Sequence, residues 1–190
     1  MNKFNWDELF VGQTAEFTRT ITADMLEKFR EVSGDNNLLH VDENFAKEKG
    51  FPARVVYGML TAALYSCFAG EYIPGEKCLL HSVHADFLNP VYVGDTLTVS
   101  GKIVEKHDSV HQIVMKVIIR NQDGKKVSRA KIEAGGLGPF SVIIYCSAPL
   151  QMYAVPFCGV TIGTKAIKLL RSILAMKKLC GRFNKKFPPK

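Results

Sequence analysis

Residues 55–69 read Val-Val-Tyr-Gly-Met-Leu-Thr-Ala-Ala-Leu-Tyr-Ser-Cys-Phe-Ala, fifteen positions without a charge. That is longer than a typical strand, and its Ala, Leu and Met content favours a helix. A helix apolar around its whole circumference must be buried on every side, yet this one is too short to span a bilayer comfortably. The run therefore predicts a central, buried helix, ended by Gly70, Pro74 and Gly75.

The pattern changes on either side of it. Towards the C-terminus, residues 78–88, 96–105, 111–120 and 126–134 alternate as strands do, separated by turn signals at Asn89-Pro90, Gly94-Asp95, His107-Asp108 and Asp123-Gly124. Towards the N-terminus, residues 14–21 (TAEFTRTI) alternate as one more strand. Thr22 then stands as an N-cap before an amphipathic helix carrying Met25, Phe29 and Val32, with Gly34 as its stop. A short helix over 42–50 follows, closed by Gly50. The simplest packing is α+β, an antiparallel five-stranded sheet wrapped around the central helix.

Where the first helix ends, residues 33–40 read Ser-Gly-Asp-Asn-Asn-Leu-Leu-His. The segment sets one carboxylate, Asp35, five residues from one imidazole, His40. Adding water to a carbon–carbon double bond, or removing it, needs one group to take a proton and another to hold or donate one. Spacing alone does not separate this reading from an Asx turn beside a surface histidine. His81, His84, His107 and His111 lie on strands and turns without metal-ligand spacing and read as structural or solvated. Tyr57, Tyr65 and Phe68 read as core.

Charge is unevenly placed. The net charge of +7 comes from 25 Lys and Arg against 18 Asp and Glu. Residues 1–136 hold sixteen of those cations and all of the anions, a net of −2. The other nine cations fall between Lys165 and Lys190, without an acid among them. No basic stripe marks residues 1–136 as a nucleic-acid reader. Five cysteines without CxxC spacing suggest reduced thiols, and the polar N-terminus lacks a secretory signal, so a cytoplasmic location is expected.

Context sharpens the octapeptide. Phe29, Val32-Ser33-Gly34-Asp35, Asn37, Leu39-His40 and Ala46, followed by Val56-Tyr57-Gly58-Met59-Leu60 and Pro90-Val91-Tyr92-Val93-Gly94-Asp95, resemble three stretches of the MaoC-like (R)-specific enoyl-CoA hydratases of the hot-dog superfamily. The resemblance covers roughly residues 8–134 and implies a hot-dog fold with a long central helix. It also implies that Asp35 and His40 are the catalytic pair, activating water for attack at C3 of a trans-2-enoyl thioester and delivering a proton to C2. Asn37 would order the loop, and the Gly58 backbone N–H would meet the thioester oxygen. For Asp35 to act as a base near neutral pH, burial would have to raise its pKa. No metal or redox cofactor is implied. The substrate would carry coenzyme A or the phosphopantetheine arm of an acyl carrier protein, and the protein would be a homodimer joined at a sheet edge. Two positions depart from the pattern: Leu38 replaces a proline, and Tyr57 stands where histidine is common.

This divides the chain into a MaoC-like domain, 1–136, and an atypical extension, 137–190. The extension is uncharged from Ala134 to Thr164 and then basic. Its prolines and unpaired cations argue for loose order. A membrane-facing basic segment and a shifted reading frame are the other readings. A chain ending at Gly136 is expected to fold and stay active. A hot-dog thioesterase and a non-catalytic acyl-binding subunit remain as alternative functions.

Overall fold

Thr22 stands at the first junction of the fold. The alternation before it forms β1 (Thr14–Thr20). The Thr22 hydroxyl accepts a hydrogen bond from the Met25 amide at 3.3 Å and opens α1 (Ala23–Ser33). A cap of this kind is worth about 1 kcal/mol. Gly34, at φ 70°, closes α1 in the left-handed conformation that glycine tolerates best. Leu26, 1% exposed, anchors α1 to the core. The chain then makes α2 (Leu38–Val41) and α3 (Glu43–Glu48), the latter capped by the Asp42 carboxylate. The pattern of residues 33–41 did not predict α2, which has only four residues.

The central helix departs from expectation twice. α4 spans Gly58–Cys67, not 55–69, and continues as a π turn over Phe68–Tyr72. Val55 and Val56 are extended: Val55 bridges to Tyr92, and the Val56 amide donates to the Val91 carbonyl at 2.8 Å. β-Branched valines suit such pairing better than a first helical turn. Nor is α4 buried all round. Leu60, Leu64 and Tyr65 face the core, but Met59 is 65% exposed, and Ala63 and Ser66 along the same side are also exposed. A sheet curving round a helix covers only the side turned towards it.

That sheet contains β2 (Cys78–Phe87), β3 (Thr96–His107), β4 (Gln112–Arg120) and β5 (Lys126–Gly136). Its order is β1-β3-β4-β5-β2 and every pairing is antiparallel, so β1 and β2 form the edges. This is the α+β, hot-dog arrangement. Val99, Met115, Val117 and Ile132 line the inner face and join α4 and Phe68 in one cluster. Gly101 makes the closest approach possible: a Cβ there would lie 2.8 Å from the Phe68 ring and from Val117. A buried polar link also ties helix to sheet. Tyr65 donates to the Ser128 hydroxyl at 2.6 Å, and Ser128 donates to the Asp86 carbonyl at 2.8 Å. Both groups are satisfied, as burial requires.

The computed structural model describes residues 1–136, 141–143 and 154–156. Two short strands, β6 (Ser141–Ile143) and β7 (Ala154–Pro156), pair antiparallel. The chain divides into two units, Met1–Pro156 and Phe157–Lys190. The second unit lies outside the described residues, and with it the basic segment read as membrane-facing or loosely ordered. Among the described residues, no helix is long and apolar enough to cross a membrane.

Candidate active site

Three segments meet at the start of α4: the turn after α1, helix α2, and the extended residues 55–57. Asp35 sits one residue beyond the Gly34 cap. Its Oδ1 accepts the Asn37 amide at 2.9 Å, closing an Asx turn. Asn37 caps α2, its side-chain oxygen accepting the Leu39 amide at 2.9 Å. This local hydrogen bonding explains why Asp and Asn crowd the segment.

His40 lies in α2 and is half-buried. Its Nδ1 is 2.7 Å from the Val55 carbonyl oxygen. A carbonyl only accepts, so Nδ1 carries a proton, and the tautomer with its lone pair on Nε2 is the one this bond selects. The partner of this bond exists because residues 55–57 are extended and not helical. The Val55 amide returns a bond to the Leu39 carbonyl at 3.1 Å, so α2 and the approach to α4 are clamped together at two points.

Gly58 is the first residue of α4, and its N-cap, Tyr57, makes no side-chain cap. The first amides of the helix therefore keep their donor capacity, with the positive end of the helix dipole behind them. A cavity of about 380 Å³ opens here, lined by Gly58, His40, Val56, Thr61, Phe87, Val91 and neighbouring residues. The Phe87 ring lies 3.5 Å from where a Gly58 Cβ would stand, so the bare backbone is what the cavity meets. The cavity is chiefly apolar, with an imidazole and a helix N-terminus on its wall. Such a wall suits an acyl group whose carbonyl gains negative charge as the reaction proceeds.

The four residues singled out by sequence do not all reach this cavity. His40 and Gly58 share its wall. Asp35 and Asn37 lie on the adjoining turn and are exposed. Among the described residues, no hydrogen bond joins the Asp35 carboxylate to His40. The burial expected of Asp35 is missing in the single chain, where residues 33–37 are all exposed.

Tyr57 is more than the core residue its composition suggested. It is 3% exposed. Its hydroxyl donates to the Asp35 carbonyl at 2.9 Å. Its ring centroid lies 4.1 Å from that of His40 and 5.2 Å from that of Phe29. Burial, and then the charge of Asp35, push its phenol above the usual tyrosine range and keep it a donor. No spacing rule points to this role. The one signal was that a tyrosine occupies the position before Gly58, a position that cannot cap the helix through a short polar side chain. The remaining histidines are engaged elsewhere or exposed: His81 contacts Gln112, His107 contacts Glu105, His111 packs on Trp6, and His84 is exposed on β2.

The chain is similar to known proteins. The chain is 32% identical over 100 residues to a 3-hydroxybutyryl-CoA dehydratase of Methylorubrum extorquens, an alignment covering 53% of this chain and 64% of that protein. It is 32% identical over 105 residues to an (R)-specific enoyl-CoA hydratase of Rhodospirillum rubrum, covering 53% and 73%. The solved R-hydratase PhaJ1 of Pseudomonas aeruginosa, unliganded, superposes with a TM-score of 0.65 at 30% identity, covering 83% of this chain and 96% of that one. The chain thus spans under two thirds of the first relative's length and about three quarters of the second's. The family model described as a MaoC like domain matches residues 9–123, more than half of the sequence, and the chain belongs to the MaoC-like domain family.

Proposed function

We propose that this chain adds water across the double bond of a trans-2-enoyl thioester to give the (R)-3-hydroxyacyl thioester, or runs the reverse dehydration. One observation carries the reading: His40, its ring held by the Nδ1 bond to the Val55 carbonyl, lines an apolar cavity together with the uncapped start of α4. The thioester oxygen approaches the Gly58 N–H, where the helix dipole stabilises the negative charge that develops as C3 is attacked. Asp35 and His40 hold the water. One takes its proton, the hydroxide adds at C3, and a proton passes from the pair to C2. Atoms and charges balance without a metal or redox group. Asn37 holds the turn that carries Asp35.

The acyl carrier in this reading is coenzyme A or a carrier-protein phosphopantetheine. The active unit is a homodimer: edge strand β2 exposes Leu80, Val83 and Phe87, with Leu88 just beyond, and α4 exposes Met59. An open edge and clustered apolar side chains favour pairing with a second copy. A cytoplasmic setting belongs to the same reading, since Cys67 and Cys78 are free thiols.

The test follows loss of enoyl absorbance from crotonyl-CoA, with chiral analysis of the product. Asp35→Asn and His40→Ala are each expected to lower kcat by about 100-fold or more, the scale of a lost acid–base group. The exposure of Asp35 favours a second reading, an acyl-binding subunit without catalysis. Unchanged rates in both variants would support that reading. Rapid release of free thiol, with crotonate and no 3-hydroxyacyl thioester as product, would support a thioesterase.

A further inference from the structure

Among the described residues, a single hydrogen bond ties the Asp35 turn to a distant part of the chain. Four side-chain hydrogen bonds shape the segment. The Asp35 amide donates to the Ser33 hydroxyl, and the Asn36 side chain donates to the Gly34 carbonyl. The Asn37 amide donates to Asp35, and the Leu39 amide donates to Asn37. Each spans two residues, so together they define the turn's shape and leave its placement open. The backbone bonds of Gly34 to Arg30 and of His40 to Asn37 are also local. Among the described residues, the only hydrogen bond from residues 33–37 to a distant part of the chain comes from the Tyr57 hydroxyl to the Asp35 carbonyl. The donor is rigidly seated. Its ring packs against both Phe29 and His40, and its backbone leads directly into Gly58.

We infer that Tyr57 is a positioning residue: its hydroxyl fixes the Asp35 turn against the start of α4 while its ring braces His40, so one side chain registers the acid, the imidazole and the Gly58 amide to one another. The inference rests on the proposed hydratase reading for its kinetic part. Two carboxylate oxygens on an exposed, locally hydrogen-bonded turn would otherwise sample many positions. Misplacement of a reacting group by about 1 Å can cost up to about 100-fold in rate.

Tyr57→Phe removes the anchor and keeps the ring. With crotonyl-CoA as probe, this variant is expected to lower kcat about tenfold with KM changed less than about twofold. Hydrogen exchange of the amides at 35–37 is expected to speed up about tenfold, while those of α4 stay protected. In an Asp35→Asn background, Tyr57→Phe is expected to have no further effect on kcat, since it acts through Asp35. Tyr65→Phe is the control. It removes a buried hydroxyl bonded to Ser128, away from the turn, and is expected to leave exchange at 35–37 unchanged. Unaltered exchange at 35–37 in Tyr57→Phe, or independent rate losses in the double variant, would overturn the inference. Full activity of Tyr57→Phe beside a slow Asp35→Asn would overturn it alone and leave the hydratase reading standing. Full activity of Asp35→Asn would remove the catalytic reading and the kinetic part of this inference together, and the exchange data would then decide the anchoring by themselves.

Discussion

At the site, Leu38 occupies the first helical position of α2, directly after the Asn37 cap, and is 49% exposed. The first turn of a helix has no internal partner for that amide, and proline there costs no hydrogen bond while pre-setting φ. This gives a physical reason for the proline common at this point in the family pattern. Leu38→Pro is therefore expected to stabilise the protein by about 0.4–1 kcal/mol with turnover unchanged, read from the midpoint of urea unfolding. A lower midpoint would mean that the residue before Leu38 is constrained unfavourably. Single residues were legible here to different degrees. Thr22 and Gly34 were readable because cap chemistry acts through near neighbours, and both bond within four residues. The Val55 carbonyl and the Tyr57 hydroxyl were not, because their partners, His40 and Asp35, lie 15 and 22 residues away. Distances of that kind are set by the fold, not by local pattern.

Among the elements, five strands, α1 and α3 follow from periodicity and punctuation. The start of α4 does not. Fifteen uncharged residues carry no amphipathic phase, so nothing in the composition separates the extended Val55-Val56-Tyr57 from the helix proper. That boundary matters more than its three residues suggest. Had the helix begun at Val55, the carbonyl that fixes the His40 tautomer would have turned into the helical ladder, and Gly58 would have lost its place at the N-terminus. α2 was missed for the opposite reason: four residues are too few to register a period. The resemblance had placed Asp35, Asn37, His40 and Gly58 in one site. The structure sets two of them on the cavity wall and two on the turn beside it.

At the level of the whole molecule, a half-buried thiol and a buried phenol link stability to alkali. Burial pushes the Cys78 thiol from 9.0 up to about 11, and the Tyr65 phenol from 10.0 to about 12, partly offset by its bond to Ser128. In both cases the unfolded chain gives up its proton first. The stabilisation is fully present below about pH 9 and falls as pH rises through the two folded-state values. Melting temperature is expected to be insensitive to these groups up to pH 9 and to decline beyond it. Cys78→Ala should remove the earlier part of that decline and leave the Tyr65 part. A melting temperature that stays level to pH 11 would contradict the assignment. The homodimer proposed above adds a second dependence, since it would form at β2, an edge strand with Leu80, Val83 and Phe87 in the open. A fold that completes its sheet with another copy of itself has no melting temperature independent of how much protein is present. By mass action, each tenfold dilution should lower the thermal midpoint, and a midpoint indifferent to dilution would mark a protomer that stands alone.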